Sequence, residues 1–270
     1  VALPAIGFNV VFAVLRFTNF SLAAHMAVGA FAGYVVNADF GCSTPAALAV
    51  AFVVAGAVGV VADRLALQPL RGFGALTLAI ASMAVNLVLE NLLRLQFGSL
   101  QRGLDVAVQR DWLIGPFRIG PQQVADLAIA LAIMLLVFLL LGFTPIGRAM
   151  RAVADNPSLA DIKGIDPERM AVFANFLGMG LGGVAGVLLA LDSAVTPDMG
   201  FGIILSVFAA SVVGGLGNIH GAVVGGLLIG VAEEVSTIVL PADYRSAIGF
   251  LAIILALAFF PRGILAHGRA

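Results

Sequence analysis

Apolar runs close to 20 residues long, separated by short polar breaks, recur from one end of this chain to the other. They predict membrane-crossing helices over 1–17, 20–37, 45–66, 74–97, 123–143, 168–191, 202–216, 218–240 and 244–261, because a helix needs ~20 apolar residues to cross hydrocarbon. The 202–216 stretch falls short of that length. It is expected as a half-helix or re-entrant segment, tolerated only where it is buried in protein or faces a water-filled cavity. The ten-residue alternating strands of an outer-membrane barrel are absent from the pattern. The fold class is all-α: a polytopic membrane protein of about 8–9 transmembrane or half-membrane helices, with residues 1–270 as a single transmembrane domain. Because the pattern is already apolar at Val1, we expect further residues to precede it.

Two polar breaks are long. The first, 98–122, carries Trp112, Pro116, Pro121 and mixed charges from Arg102 to Arg118. It is too polar for lipid and is expected as a folded loop, either a solvated cap over helix ends or a docking surface. The second, Gly147 to Met170, holds four basic residues (Arg148, Arg151, Lys163, Arg169) and four acidic ones (Asp155, Asp161, Asp166, Glu168). Gly147 is expected to close the preceding helix, and Arg148–Ala154 to form a short amphipathic helix broken at Asn156-Pro157, since proline disfavours helical geometry in the residue before it. Ser158–Lys163 then forms a second short helix capped by Gly164, and Asp166-Pro167 opens the next span as N-cap and first helical residue. A basic amphipathic segment at this place could anchor to lipid headgroups. Balanced charge favours a protein partner instead.

Composition agrees with the pattern. Only 11% of residues are charged and mean hydropathy is +1.10, far from a soluble domain, where about a quarter are charged. Net charge −1 gives no footing for nucleic acid, and the single Cys42 excludes a disulfide within the chain. Lysine and arginine accumulate on the cytoplasmic side of membrane proteins. With nine spans, nine basic residues (Arg16, Arg64, Arg71, Arg148, Arg151, Lys163, Arg169, Arg262, Arg269) share one side and four (Arg102, Arg110, Arg118, Arg245) the other, with Arg94 inside a span. The 147–170 segment and the C-terminus are therefore expected in the cytoplasm, and 98–122 outside.

Polar groups within the spans are the remaining candidates, because ionisable residues at membrane depth face a bundle interior or a water-filled cavity. Asn86, Glu90 and Arg94 repeat at four-residue intervals on one helix face, and Glu90 can pair with Arg94. They either line a path or lock two helices together. Glu233 and Glu234 point about 100° apart, so one can face inward while the other meets a neighbouring subunit or reaches the interface. Gly217, Gly221 and Gly225 are spaced to form a groove for close helix approach, and Gly178, Gly180, Gly182, Gly183 and Gly186 make a similar small-residue face. No phosphate loop is formed by the glycines around 214–217, which lack a following Gly-Lys-Ser/Thr. His25, His220 and His267 lie on different elements and make no metal motif. An intramembrane enzyme would need a Ser–His, paired-Asp or metal constellation, and none is present in the sequence.

Several pieces together resemble one family: Gly147-Arg148-Ala149 with Arg151-Ala152 and Asp155-Asn156 leading to Gly164-Ile165; Val213 to Asn218 with Gly221-Ala222 and Gly225-Gly226; Pro261 to Leu265; and Asn19-Phe20 before Gly29-Ala30. Over nearly its whole length the chain resembles the membrane permeases of ABC importers of the branched-chain amino-acid (Liv) type, within them the LivH-like branch. The resemblance implies a permease subunit, not an enzyme, that translocates an amino acid or related small polar or amphipathic solute delivered by an extracytoplasmic binding protein. The implied partners are a second homologous permease subunit, two cytoplasmic ATPase subunits and the surrounding membrane lipid. No cofactor is expected on this chain, since Mg-ATP would bind the ATPases. The implied setting is a bacterial or archaeal cytoplasmic membrane. On this resemblance 147–170 is the coupling segment, with Asp155, Asn156, Ser158, Leu159, Ala160 and Ile162 touching the ATPase, and Arg148 and Arg151 as salt-bridge or lipid anchors. Asn19 joins the path or helix-locking candidates. Ser21-Leu22-Ala23-Ala24 replaces the more polar continuation usual in the family, implying, if that helix borders the path, a more apolar or bulkier solute. The competing reading is an ATP-independent carrier or channel coupling ions through Glu90, Arg94 and the Glu233–Glu234 pair.

Overall fold

A computed structural model describes residues 1–105, 112–114, 117–238, 241, 245–259 and 263–264. Arg110, Pro116, Pro261, Arg262, Leu265, His267 and Arg269 lie outside the described residues, as do the side chains of Trp112, Arg118 and Arg245.

Each predicted span contains a helix. These are α1 (Ala2–Leu15), α2 (Leu22–Tyr34), α3 (Thr44–Ala62), α4 (Ala75–Phe97), α5 (Pro121–Phe143), α8 (Pro167–Asp192), α9 (Phe201–Gly214), α10 (Ile219–Ser236) and α11 (Arg245–Phe259). Between α5 and α8 lie two short helices, α6 (Pro145–Asp155) and α7 (Pro157–Ile162). The predicted break after residue 66 is instead helical: α3 runs on through a π turn (Asp63–Leu67) and a 3-10 turn (Gln68–Phe73), giving one apolar rod of 30 residues. Within 98–122, a short antiparallel hairpin pairs Trp112–Ile114 with Phe117–Ile119.

Five of these segments are long and apolar enough to cross a membrane. Helix α9, with 14 residues, covers only about 21 Å at 1.5 Å per residue, short of the hydrocarbon thickness of about 30 Å. Its following turn packs along the second half of α1, where Asn9 Oδ1 accepts the Gly217 N–H at 2.7 Å and Phe12 and Ala13 lie beside Gly217.

Helix α8 is the axle of the fold. Nearly three-quarters of its membrane window is buried (72%), and it packs against α1, α2 and α3. Lipid tails are as apolar as leucine, so membrane helices associate through close van der Waals fit between small residues. Here Gly183 abuts Gly29 of α2 on one side and Ala51 and Ala55 of α3 on the other, and Gly186 abuts the Met26 carbonyl. A second group, α9, α10 and α11, joins through α1, while α4 leans on α2. Helix α5 is exposed along most of its length, with only Val137 and Leu141 buried.

Contacts between connections sort the helix ends into two faces. Arg16 reaches Ala154 and Gln68 reaches Glu168, so the α1–α2, α3–α4 and α5–α8 connections share a face. Arg102 pairs through its backbone with Val195 (2.8 and 3.2 Å), placing 98–105 and the α8–α9 connection together on the other. Ile264 N–H donates to the Val213 carbonyl at 2.9 Å, which sets Gly263–Ile264 at the first face's end of α9.

Candidate functional site

At the first face, the break between α5 and α8 is fixed by local chemistry. Thr144 is the N-cap of α6, accepting the Gly147 N–H at 3.2 Å, and Pro145 occupies its first turn. Gly147 therefore lies inside α6 and does not close α5, which ends at Phe143; its missing side chain lets α6 fold flat onto the Leu141 backbone. Helix α6 buries Gly147, Met150 and Val153 and leaves Arg148 and Arg151 toward the outside. Arg151 is engaged within the chain. Its guanidinium donates to the carbonyls of Leu141 and Gly142, at the C-terminal end of α5, where orphan carbonyls and the helix dipole favour a cation. Arg148 is exposed.

Asn156 then caps α7, its Oδ1 accepting the Leu159 N–H at 3.0 Å, with Pro157 following. Gly164, at φ +83°, ends α7 in the left-handed geometry glycine favours, while Ile165 N–H closes onto the Ala160 carbonyl at 2.9 Å. Asp166 accepts from Glu168 and Arg169 and opens α8 with Pro167. Six residues long, α7 thus leads through a tight turn directly into the axle.

What α7 displays is unusual for a polar surface segment: Leu159 is 54% and Ile162 82% exposed. Asp155, Asn156 and Ser158 are exposed beside them. Ala160 differs from expectation. It is 4% exposed and packs inward, because it sits on the face of α7 turned to the helices above, so it is not a surface contact residue.

The intramembrane polar residues separate into two roles. Asn86 Oδ1 accepts the Ala24 N–H at 2.7 Å, one of the first-turn donors of α2; one turn earlier on α4, Ser82 Oγ accepts the Phe20 N–H at 3.0 Å. Asn19 Oδ1 accepts from Ser21 N–H and hydroxyl at 3.1 and 2.7 Å. Asn19 and Asn86 therefore satisfy donors at the start of α2. Leu22, Ala23 and Ala24 are buried in helix packing, Leu22 against Gly182 and Ala23 against Gly200. Their apolar character is explained by that packing, without reference to a solute. Glu233 is buried, near Gly249 of α11, and Glu234 is exposed.

The glycine expectation needs one correction. Gly221 sits against Gly214 and Gly225 against the Ala210 carbonyl, bringing α10 close to α9. Gly217 precedes α10 and belongs to the turn, at φ +81°, so it shares no helical groove with them.

At the opposite face, an open cleft of about 620 Å³ lies between α4 and the α8–α9 connection. Glu90 and Arg94 form an ion pair of 2.6 Å at its wall, the glutamate side chain 12% and the arginine 42% exposed. Thr196 and Asp198 add polar atoms, and Leu87, Met199 and Phe201 supply apolar surface. Thr196 and Asp198 carried no signal in the sequence beyond their place in a connection.

A second cleft, about 530 Å³, opens at the first face between the π and 3-10 turns and the base of α8. Buried Asp63 is paired there with Arg71 at 2.5 Å, and Gln68 donates to Glu168. The Asp63–Arg71 pair was not singled out from the sequence, because a spacing of eight lies outside the i, i+3 and i, i+4 steps at which helix side chains meet.

The family model described as branched-chain amino acid transport system, permease component, matches residues 1–257. The high-affinity branched-chain amino acid transport system permease protein LivH of Salmonella typhimurium is 30% identical over 98% of this chain and 90% of its own length. BraD of Pseudomonas aeruginosa, of the same description, is 30% identical over 98% and 91%. The probable branched-chain amino acid transport permease protein LivH of Methanocaldococcus jannaschii is 34% identical over 97% and 87%. No solved structure matches the chain. A helical, multi-pass membrane protein matched over nearly its whole length in this way belongs to the family of permease components of branched-chain amino acid transport systems.

Proposed function

We propose that the chain is a membrane-spanning subunit of an ATP-driven importer, carrying an amino acid or related small amphipathic solute handed over by an extracytoplasmic binding protein. It works beside a second, homologous permease subunit and above two cytoplasmic ATPases that bind and hydrolyse Mg-ATP. Its setting is a bacterial or archaeal cytoplasmic membrane, with 1–270 acting as one transmembrane permease domain.

The observation that carries this reading is the exposed Leu159–Ile162 pair on α7, joined by one turn to the buried axle α8. Apolar side chains displayed on a polar surface segment mark a protein contact. A contact there acts on α8, and a rigid-body shift of α8 reaches α1, α2 and α3 together. Arg16, Arg64, Arg71, Arg148, Arg151, Lys163 and Arg169 all belong to the connections of that face, so the positive-inside bias orients α7 and the C-terminal end toward the cytoplasm.

The ATP-independent alternative draws on Glu90, Arg94 and Glu233–Glu234. Glu90 already holds Arg94 within its own helix, which favours an organising role over ion coupling. Purification of the tagged chain from its native membrane, followed by reconstitution, decides between the two. The importer reading expects a co-purifying ATPase and leucine uptake that requires ATP and binding protein. Uptake driven by an ion gradient without ATP overturns it.

A further inference from the structure

We infer that the cleft between α4 and the α8–α9 connection is an entry subsite for the zwitterionic head of an α-amino acid with an apolar side chain. The inference rests on the importer reading above and names its solute chemistry and contacts.

Glu90 lies seven residues before Phe97 at the end of α4, about 10 Å into the helix by its rise. A charged side chain at such depth, with its partner Arg94 one turn nearer the helix end, is kept where water or protein surrounds it. The cleft supplies that place, at the face opposite α7, where a solute released outside the membrane would enter.

The donor set matches a zwitterion. A free carboxylate needs a cation, and the planar guanidinium is the side chain best shaped to meet it with two parallel hydrogen bonds. Arg94 engages Glu90 through one nitrogen and remains 42% exposed, leaving further N–H groups for the cleft. Glu90 is its positioning residue. An ammonium needs an anion: Asp198 is exposed, and its carboxylate makes no hydrogen bond among the described residues. Its backbone is held, since the Asp198 carbonyl accepts Phe201 N–H at 2.9 Å and the Thr196 carbonyl accepts Met199 N–H at 3.3 Å. Two carboxylates against one guanidinium repel a simple anion and tolerate a ligand that brings its own ammonium.

The rest of the cleft is apolar and roomy. Leu87 and Phe201 are 58% and 68% exposed and offer surface for an aliphatic side chain. The volume of about 620 Å³ falls within the range of small-molecule sites, and Gly202 leaves its side of the wall open.

The test is saturation-transfer NMR on the complete importer in lipid nanodiscs, without binding protein, using leucine, leucinamide and 4-methyl-2-oxopentanoate as probes. Leucine should give a signal in the wild type, with the amide and the keto acid each at least tenfold weaker. Asp198→Asn and Arg94→Gln should each lower the leucine signal at least tenfold, and Arg94→Lys should restore part of it. Asp198 is exposed, so its variant carries the test should Arg94→Gln fail to assemble. No leucine signal in the wild type, or an unchanged signal in Asp198→Asn, overturns the subsite. Leucine uptake with ATP and binding protein, measured in parallel, reports on the importer reading alone. Uptake in the wild type with binding unaltered by Asp198→Asn removes the subsite and leaves the importer standing. Binding lost in that variant without ATP-driven uptake in the wild type does the reverse.

Discussion

Arg16, at the end of α1, donates through its guanidinium to the carbonyl of Ala154, at the end of α6, a residue 138 positions away. Arg16 itself takes a left-handed backbone, φ 58°, which ends α1 beside the α6–α7 segment. Together with Arg151 on the end of α5, it ties α6 to α1 and α5.

These ties predict that Arg16→Gln and Arg151→Gln loosen the α6–α7 segment while leaving the spans in place. A charge-assisted bond at a partly exposed site is worth about 1 kcal/mol, or roughly a fivefold change in an opening equilibrium. Limited proteolysis between residues 144 and 166 in nanodiscs should accelerate about fivefold in each variant, with insertion unchanged. Wild-type cleavage rates would show that the two arginines do not restrain the segment.

Leu159→Asp addresses the face that α7 presents. Leu159 is exposed and makes no core contact that its loss would empty, so the protein should insert and fold as the wild type does. A carboxylate within an apolar contact costs several kcal/mol when unpaired, and the ATPase should lose its grip or its coupling. In proteoliposomes, solute-stimulated ATP hydrolysis and uptake should fall at least tenfold, and Ile162→Asp should act in the same direction. Full coupling in both variants would remove α7 as the ATPase contact.

Asn86→Ala separates locking from lining. Asn86 supplies the acceptor for the Ala24 N–H inside the bundle, and a buried donor left unpaired costs about 1–3 kcal/mol. Thermal unfolding in detergent should shift down by several degrees, whereas Asn86→Asp, which keeps the acceptor, should lose less. Wild-type stability of Asn86→Ala combined with altered solute affinity would put the residue in the path.

How much of this could be read from the chain follows the range of the interaction. The Asn156-Pro157 break, the Gly164 cap and the Asp166-Pro167 start are local, each made within a few residues, and appear at the expected positions. The start of α6 was misplaced because Thr144-Pro145 is itself a cap signal inside an apolar run. The pairs Asn86–Ala24, Asn9–Gly217 and Arg16–Ala154 join residues 62, 208 and 138 apart, and no spacing rule reaches that far. The Glu90–Arg94 pair was legible as an i, i+4 step, but the cleft it lines needed the fold to bring Asp198 beside α4. Gly217 shared the spacing of the packing glycines and still fell in a turn, because periodicity carries no information about where a helix starts.

Gly183→Val tests whether α8 is the axle. A Cβ at Gly183 would overlap the Ala55 side chain and lie 2.7 Å from the Ala51 carbonyl, with Gly29 behind it, so α2 and α3 would both have to retreat from α8. Overpacking a close-fitted interior costs about 1–3 kcal/mol, and here it acts on two interfaces at once. The yield of monodisperse protein in detergent should drop severalfold. Gly142→Ala in α5 serves as the control, because a Cβ there meets nothing within 4 Å and alanine is the better helix former by about 1 kcal/mol. That variant should equal the wild type in yield or exceed it. Equal yields for Gly183→Val and Gly142→Ala would mean that α8 tolerates separation from its neighbours, and a helix that loosely held could not carry a shift from α7 to the rest of the bundle.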